Sequence, residues 1–233
     1  SADNISYTTV FIANTHDNSL GNKIDCRTMS SLMSSAKMLG DYDDLYQQSY
    51  DDLILSGVFE VTNTTEEIDC KLYRNVAKLV LTIDNQEGSG IIINSVQLKN
   101  ISNKLFYADH LYPYTETEPS LAVLSFFDFE KESLNIASGE PATTLNYYLS
   151  RNMRGQNSAA EPKDKNLNPP PYSSYIEVMA THEQRGTLLR YIFYLGKNST
   201  NDFNLEPNYL YNVSLSFNGM GASDDNRVED LSE

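Results

Sequence analysis

The chain has 233 residues, 40% of them apolar, which is enough for one large or two modest β domains and too apolar for a globally disordered chain. Acidic residues outnumber basic ones 32 to 17, a net charge of −15 that repels phosphate backbones and anionic headgroups and argues against nucleic acid as a partner. No run of about 18 apolar residues occurs, so no segment reads as a spanning helix, and no basic-then-apolar leader opens the chain.

With 16 Tyr, 9 Phe and no Trp, and with many Asn, Ser and Thr, the composition suits pleated, half-exposed surfaces. Residues 6–14 read as a first strand and 15–23 as a loop. Residues 27–39 are the one clear helix candidate. Met29, Leu32, Met33, Ala36 and Leu39 recur at helical spacing, Thr28 or Ser30 can cap, and Gly40 can stop it. Residues 41–52 are acidic and Tyr-bearing. Residues 53–62 form a strand in which Gly57 suggests a bulge. Residues 75–84 form another, with Ala77, Leu79, Leu81 and Ile83 on one face, followed by strands at 91–99 and 105–107.

Residues 109–120 carry two prolines and no apolar period, so a domain boundary is placed there, giving an N-terminal domain 1–112 and a C-terminal domain 113–233. Strands follow at 121–129 and 145–149, then an irregular stretch from 151 to 172 that includes Pro169, Pro170 and Pro171. Three strands close the pattern, at 175–180, 188–195 and 209–217. The last alternates strictly: Tyr209, Tyr211, Val213, Leu215 and Phe217 take one face, and polar residues most of the other. It reads as an antiparallel strand with one buried face. Residues 219–233 are polar and acidic, and read as ill-ordered unless something pairs with them. About ten short strands and one helix, with regular turn signals, indicate β-sandwich modules.

Chemistry-bearing patterns are sparse. His16, His110 and His182 are scattered, without ligand spacing. There is no nucleophile elbow and no glycine-rich phosphate loop, so neither an enzyme nor a cofactor is expected. Acid pairs at 43–44, 51–52, 66–67 and 224–225 are the only basis for a hydrolase reading, and solvated turns account for them more simply. Cys26 and Cys70 leave two readings open: one disulfide, which by loop closure would contribute about 4 kcal/mol, or two separate buried thiols.

Several stretches together resemble the fimbrillin family, the type V pilus subunits of Bacteroidota. Residues 72–83 resemble the Arg-x-Ala-Lys strand of its N-terminal domain, residues 9–14 an early strand ending at Asn, and residues 53–57 another N-terminal strand, without its Pro. Residues 147–155 are similar to a segment of the second domain, with Arg151 where the family tends to have Glu. Residues 194–198 and 201–208 resemble its Tyr-Leu-Gly-x-Asn and Asp-Phe-Asn signature, with Pro207 in the place of an Arg.

The resemblance implies an all-β chain of two tandem transthyretin-like β-sandwich domains, with one short helix in the first. It implies a lipoprotein precursor displayed at the outer membrane. Its partners would be other pilus subunits, joined by strand addition, together with host or bacterial surface ligands. The faces expected near a strand-acceptor groove are Val10 and Ile12, Leu79 and Leu81, and Tyr209, Tyr211, Val213, Leu215 and Phe217. No match to the family's first exchangeable strand is found, and no apolar strand follows Phe217. That suggests a trimmed subunit, a receiving cap or anchor, or a piece of a longer surface protein. An alternative of another class is a glycan-binding module, with Tyr42, Tyr46, Tyr50, Tyr112 and Tyr114 stacking on sugar rings.

Each large apolar side chain on the buried face of 209–217 should contribute roughly 1.5–3 kcal/mol. Val213→Asp or Leu215→Asp should therefore unfold the domain that holds it, and Ser214→Asp should do little. Thermal midpoints of the three variants check the face assignment.

Overall fold

Ala77, Leu79, Leu81 and Ile83 are fully shut off from solvent, whereas Lys78, Val80, Thr82 and Asp84 between them stay partly exposed. That period of two buries one face of a strand, and a sheet with one apolar face must cover it with another layer. A computed structural model, which describes residues 5–15, 24–39, 53–109, 125–222 and 224–231, shows how the chain does so. In chain order the elements are β1 (Ser6–Ala13), helix α1 (Met29–Ser34), β2 (Ala36–Met38), β3 (Leu55–Thr62), β4 (Tyr73–Arg74), β5 (Val76–Asn85), β6 (Ile91–Lys99), β7 (Ile101–Ser102), β8 (Lys104–Phe106), β9 (Phe126–Phe127), β10 (Glu132–Ile136), β11 (Thr143–Ser150), β12 (Asn152–Gln156), β13 (Tyr175–His182), β14 (Leu188–Tyr194), β15 (Asp202–Leu205), β16 (Leu210–Phe217) and β17 (Val228–Asp230). The chain is all-β, as its composition indicates.

Two sheets make the sandwich. One is ordered β11-β5-β16 and the other β10-β6-β13-β14-β17. Leu79, Leu81 and Ile83 of the first join Ile93, Val96, Ile176, Val178 and Tyr191 of the second in one continuous core. The alternation of β6 changes phase midway: Ile91 and Ile93 are buried, then Val96 and Leu98. Met179 lies opposite Ser95 and Ala180 opposite Ile93, so Asn94 is the extra residue of a bulge, which turns the even positions inward. The first part of the chain adds a sheet ordered β1-β3-β4, and β2 pairs with β8.

Several elements depart from expectation. Strands β5 and β6 pair with strands beyond residue 130, so a division at 112/113 does not separate the sheets. Low apolar content marks residues 109–120 as linker-like but carries no information about which strands pair across them. The helix is shorter than 27–39. The Thr28–Ser31 capping box forms, but the Ser35 hydroxyl donates to the Ser31 carbonyl, and residues 36–38 leave to pair with 104–106. Gly57 is no bulge, since β1 and β3 pair without a shift. It is needed because a Cβ there would meet the Lys71 carbonyl oxygen at 2.6 Å. The stretch read as irregular, 151–172, contains β12, which pairs with β15, a strand between the two expected at 188–195 and 209–217. The acidic tail contains β17, which pairs with β14.

A buried asparagine ties the first sheet to the sandwich. Ser56 Oγ donates to Asn75 Oδ1 at 2.8 Å, and Asn75 Nδ2 donates to the carbonyls of Phe106 at 2.7 Å and Tyr107 at 2.9 Å. Asn75→Ala would strand a buried hydroxyl and two carbonyls, and should cost about 1–3 kcal/mol. Asn146→Ala, on the exposed face of β11, should change stability by less than about 0.5 kcal/mol. Urea titration of both variants distinguishes the two effects.

Candidate functional site

Strand β16 lies at the edge of its sheet, and it runs parallel to β5, not antiparallel to a neighbour as expected. Alternation reports which face is buried and is silent on the direction of the partner. Two bonds set the phase of the pairing: Lys78 N–H donates to the Tyr209 carbonyl and Gln86 N–H to the Phe217 carbonyl, both at 2.9 Å. In a parallel ladder every second residue turns its backbone groups to the partner. The odd residues of β16 therefore face β5, and the N–H and C=O groups of Leu210, Asn212, Ser214 and Ser216 point away from it. Among the described residues, β16 pairs with β5 alone.

Edges of this kind are ordinarily guarded by charges, prolines or bulges. The sequence of β16, Leu-Tyr-Asn-Val-Ser-Leu-Ser-Phe, contains none of the first two, and its pairing shows no shift. Beside the open edge runs a trench of about 950 Å3 between the two sheets. Tyr211, Val213, Leu215 and Phe217 form one wall, and Tyr191 and Phe193 of β14 the other. Phe217 meets the Tyr191 ring edge-on at 5.0 Å and the Phe193 ring at 6.1 Å. Burial pushes the Tyr191 hydroxyl up to about 12, and this hydroxyl donates to the Met220 carbonyl at 3.0 Å. Leu210, at 57% exposure, and Tyr209, at 50%, flank the mouth.

One end of the trench is closed by the turn that carries the Tyr-Leu-Gly-Lys-Asn and Asp-Phe-Asn signature. Asp202 Oδ1 accepts from the N–H groups of Lys197 (2.8 Å) and Asn204 (3.0 Å), and Oδ2 from the amides of Asn204 (2.9 Å) and Gln156 (3.3 Å). Burial alone would raise the Asp202 carboxyl, but these donors hold it below the usual carboxylate range. Gly196 sits against this turn, where a Cβ would fall 1.9 Å from the Asp202 carbonyl oxygen, so no other residue fits. Tyr211 spans the same turn: its hydroxyl accepts from Glu206 N–H at 2.9 Å and donates to the Asn204 carbonyl at 3.1 Å. The signature is thus a buttress for the start of β16.

The expected groove residues divide. Tyr211, Val213, Leu215 and Phe217 do line the trench, and Tyr209 stands at its exposed end. Leu79 and Leu81 lie in the closed core of β5, and Val10 and Ile12 are half-buried on β1 in a different sheet. Cys26 is exposed and Cys70 half-buried, both as free thiols, so neither is the fully buried thiol of the second reading. Two of the acid-pair residues are used in ion pairs, Asp224 with Lys163 and Asp225 with Arg227, while Glu66 and Glu67 are exposed. His182 caps a turn, its Nδ1 accepting from the N–H groups of Gln184 and Arg185. Tyr42, Tyr46, Tyr50, Tyr112, Tyr114, His16, His110 and the acid pairs at 43–44 and 51–52 lie outside the described residues. Sequence reasoning missed the opposite wall. Tyr191 and Phe193 alternate with partly exposed neighbours on β14 and were legible; Lys165 and Arg227, in polar segments, carried no signal.

Residues 147–215, from β11 to β16, match a domain of unknown function, DUF4906. No curated protein matches the chain. Among solved structures, a proposed cell adhesion protein of Bacteroides eggerthii superposes with a TM-score of 0.58 at 15% identity, covering 96% of this chain and 76% of that one. Another, from Bacteroides uniformis, gives a TM-score of 0.43 at 10% identity, covering 99% of this chain and 72% of that one. The first likeness is one of fold.

The Asp202 network sets a pH dependence. A carboxyl held below its unfolded value, near 4, contributes stability above that value and loses it as pH falls through the folded one. Asp202→Asn places an amide against two donors and should cost roughly 1–3 kcal/mol at pH 7. The variant should also lose less stability than the parent between about pH 5 and pH 2. Urea midpoints across that range measure both effects.

Proposed function

We propose that the chain is a structural subunit or accessory adhesin of a bacterial surface pilus, joined to its neighbours by strand addition along β16. The observation that carries this reading is the unguarded edge of β16 beside a trench walled by Val213, Leu215 and Phe217 on one side and Tyr191 and Phe193 on the other. An incoming extended segment would satisfy the outward N–H and C=O groups of Leu210, Asn212, Ser214 and Ser216. It would also lay every second side chain into the trench. Each backbone bond would add about 0.5–1.5 kcal/mol net, and each apolar side chain removed from water a comparable or larger amount.

The fold it shares with the proposed cell adhesion protein of Bacteroides eggerthii supports the same reading. So do the phrases that resemble fimbrillins. On this view the protein works outside the outer membrane as a fimbrial component. Its job is mechanical and adhesive, and no catalytic step is assigned to it.

Strand addition can be tested without disturbing the fold. The N–H of Ser214 points to the open edge, so Ser214→Pro removes an outward donor and leaves the β5 ladder intact. Val213→Pro removes a ladder donor and should destabilise by about 3 kcal/mol or more. Ser214→Pro should fold, yet should lose most of the thermal stabilisation that an added strand peptide gives the parent. Equal stabilisation of parent and Ser214→Pro by the peptide would refute addition at this edge.

A further inference from the structure

The charge of the trench runs against that of the chain. The molecule carries −15, yet the charged residues lining the trench are Lys165, Lys197 and Arg227 with a single acid, Asp225. Two of the three cations are already neutralised: Arg227 pairs with Asp225 at 2.7 Å, and Lys197 with Glu206. Lys165 differs. It is 3% exposed, its Nζ donates to the Asn198 carbonyl at 2.7 Å, and it lies 5.1 Å over the Phe203 ring, but among the described residues it forms no ion pair. Burial lowers its ammonium to about 8, and Asp202 opposes that only from beyond ion-pair distance.

A buried ammonium without a counter-ion is costly, because a carbonyl and a ring face replace only part of its hydration. One hydrogen bond also leaves an ammonium with donors to spare. Lys165 stands at the same end of the trench as Gly196, Lys197 and Asn198, where an added strand would begin or end.

We propose that Lys165 is the specificity residue of the trench, and that the strand it accepts comes from another polypeptide and carries an Asp or Glu side chain at the Lys165 end. This rests on the strand-addition reading of β16. The apolar walls would accept many alternating sequences, so the carboxylate contact would set register and choose among them. A carboxylate set against Val213 or Leu215 instead would be desolvated beside an apolar side chain, which disfavours that register.

The test uses synthetic peptides matched to β16 in length, built of alternating Val and Thr. One Glu is scanned through the Val positions, which face the trench, with a matched Gln set, and binding is followed by calorimetry to the unmodified protein. At one position, near a peptide end, the Glu peptide should bind about tenfold tighter than its Gln partner. Lys165→Met should abolish that preference while still binding the Gln peptide. A merely structural lysine would weaken both peptides alike, so the Glu-to-Gln ratio separates the roles.

Should Lys165→Met fail to fold, Lys165→Gln, which keeps a donor for the Asn198 carbonyl without the charge, must lose the Glu preference. Equal binding of Glu and Gln peptides at every position would overturn the assignment of Lys165 while leaving strand addition standing. A Glu preference that survives Lys165→Met or Lys165→Gln would overturn the assignment too. Absence of binding by every peptide would remove both.

Discussion

A parallel strand pair cannot be closed by a tight turn, and that constraint governs this molecule. Strands β5 and β16 lie side by side in one sheet and point the same way, so the chain between them must cross to the other sheet and return. In doing so it lays down β6, β13 and β14 as the opposite layer and supplies the aromatic wall of the trench. Strand β16 comes last to its own sheet. It takes the single vacant side of β5, and among the described residues nothing pairs with its far edge. The open edge is therefore a product of the topology.

The start of that edge is held firmly. Three features converge there: the Gly196 backbone against the Asp202 carbonyl, the carboxylate of Asp202 with its amide donors, and the Tyr211 hydroxyl bridging Asn204 and Glu206. Each fixes backbone that would otherwise be a polar loop. With the turn fixed, the outward N–H and C=O groups of β16 are held in an extended row, so an added segment has less to order on binding.

Much of this was legible in the sequence, in proportion to how far side-chain pattern alone decides the outcome. The strict alternation of β16 predicted its buried face, and Tyr211, Leu215 and Phe217 are indeed buried, with Val213 partly so. The bounds of β6 were readable because β-branched residues run through it. The direction of β16 was not, since alternation is the same for parallel and antiparallel partners. Strand β15 hid because its side chains include Asp202 and Asn204, which are buried by hydrogen bonding rather than by apolar character. Strand β17 hid because two of its three residues are acidic and exposed. The helical spacing of 27–39 misled because Leu39, its one fully buried apolar residue, is buried next to β2 and not on a helix face. The trench as a whole could not be read, because its walls come from strands that adjoin only through the crossover.

The same crossover has a consequence for the order of assembly. Ser216 and Asp84, which share a hydrogen bond across the β5–β16 pair, are 132 positions apart in the chain. Contacts between such distant positions form slowly, because the loop entropy must be lost before the contact rewards it. In an emerging polypeptide β5 is complete long before β11 or β16 exists, and after β11 has paired, the side that β16 will take is still bare. The nascent molecule thus exposes two unfilled edges in succession, first that of β5 and, once β16 docks, that of β16. The second takes its final shape only once the first has been covered, so an early arrival at the bare side of β5 would compete with the chain's own β16 and leave the trench unbuilt.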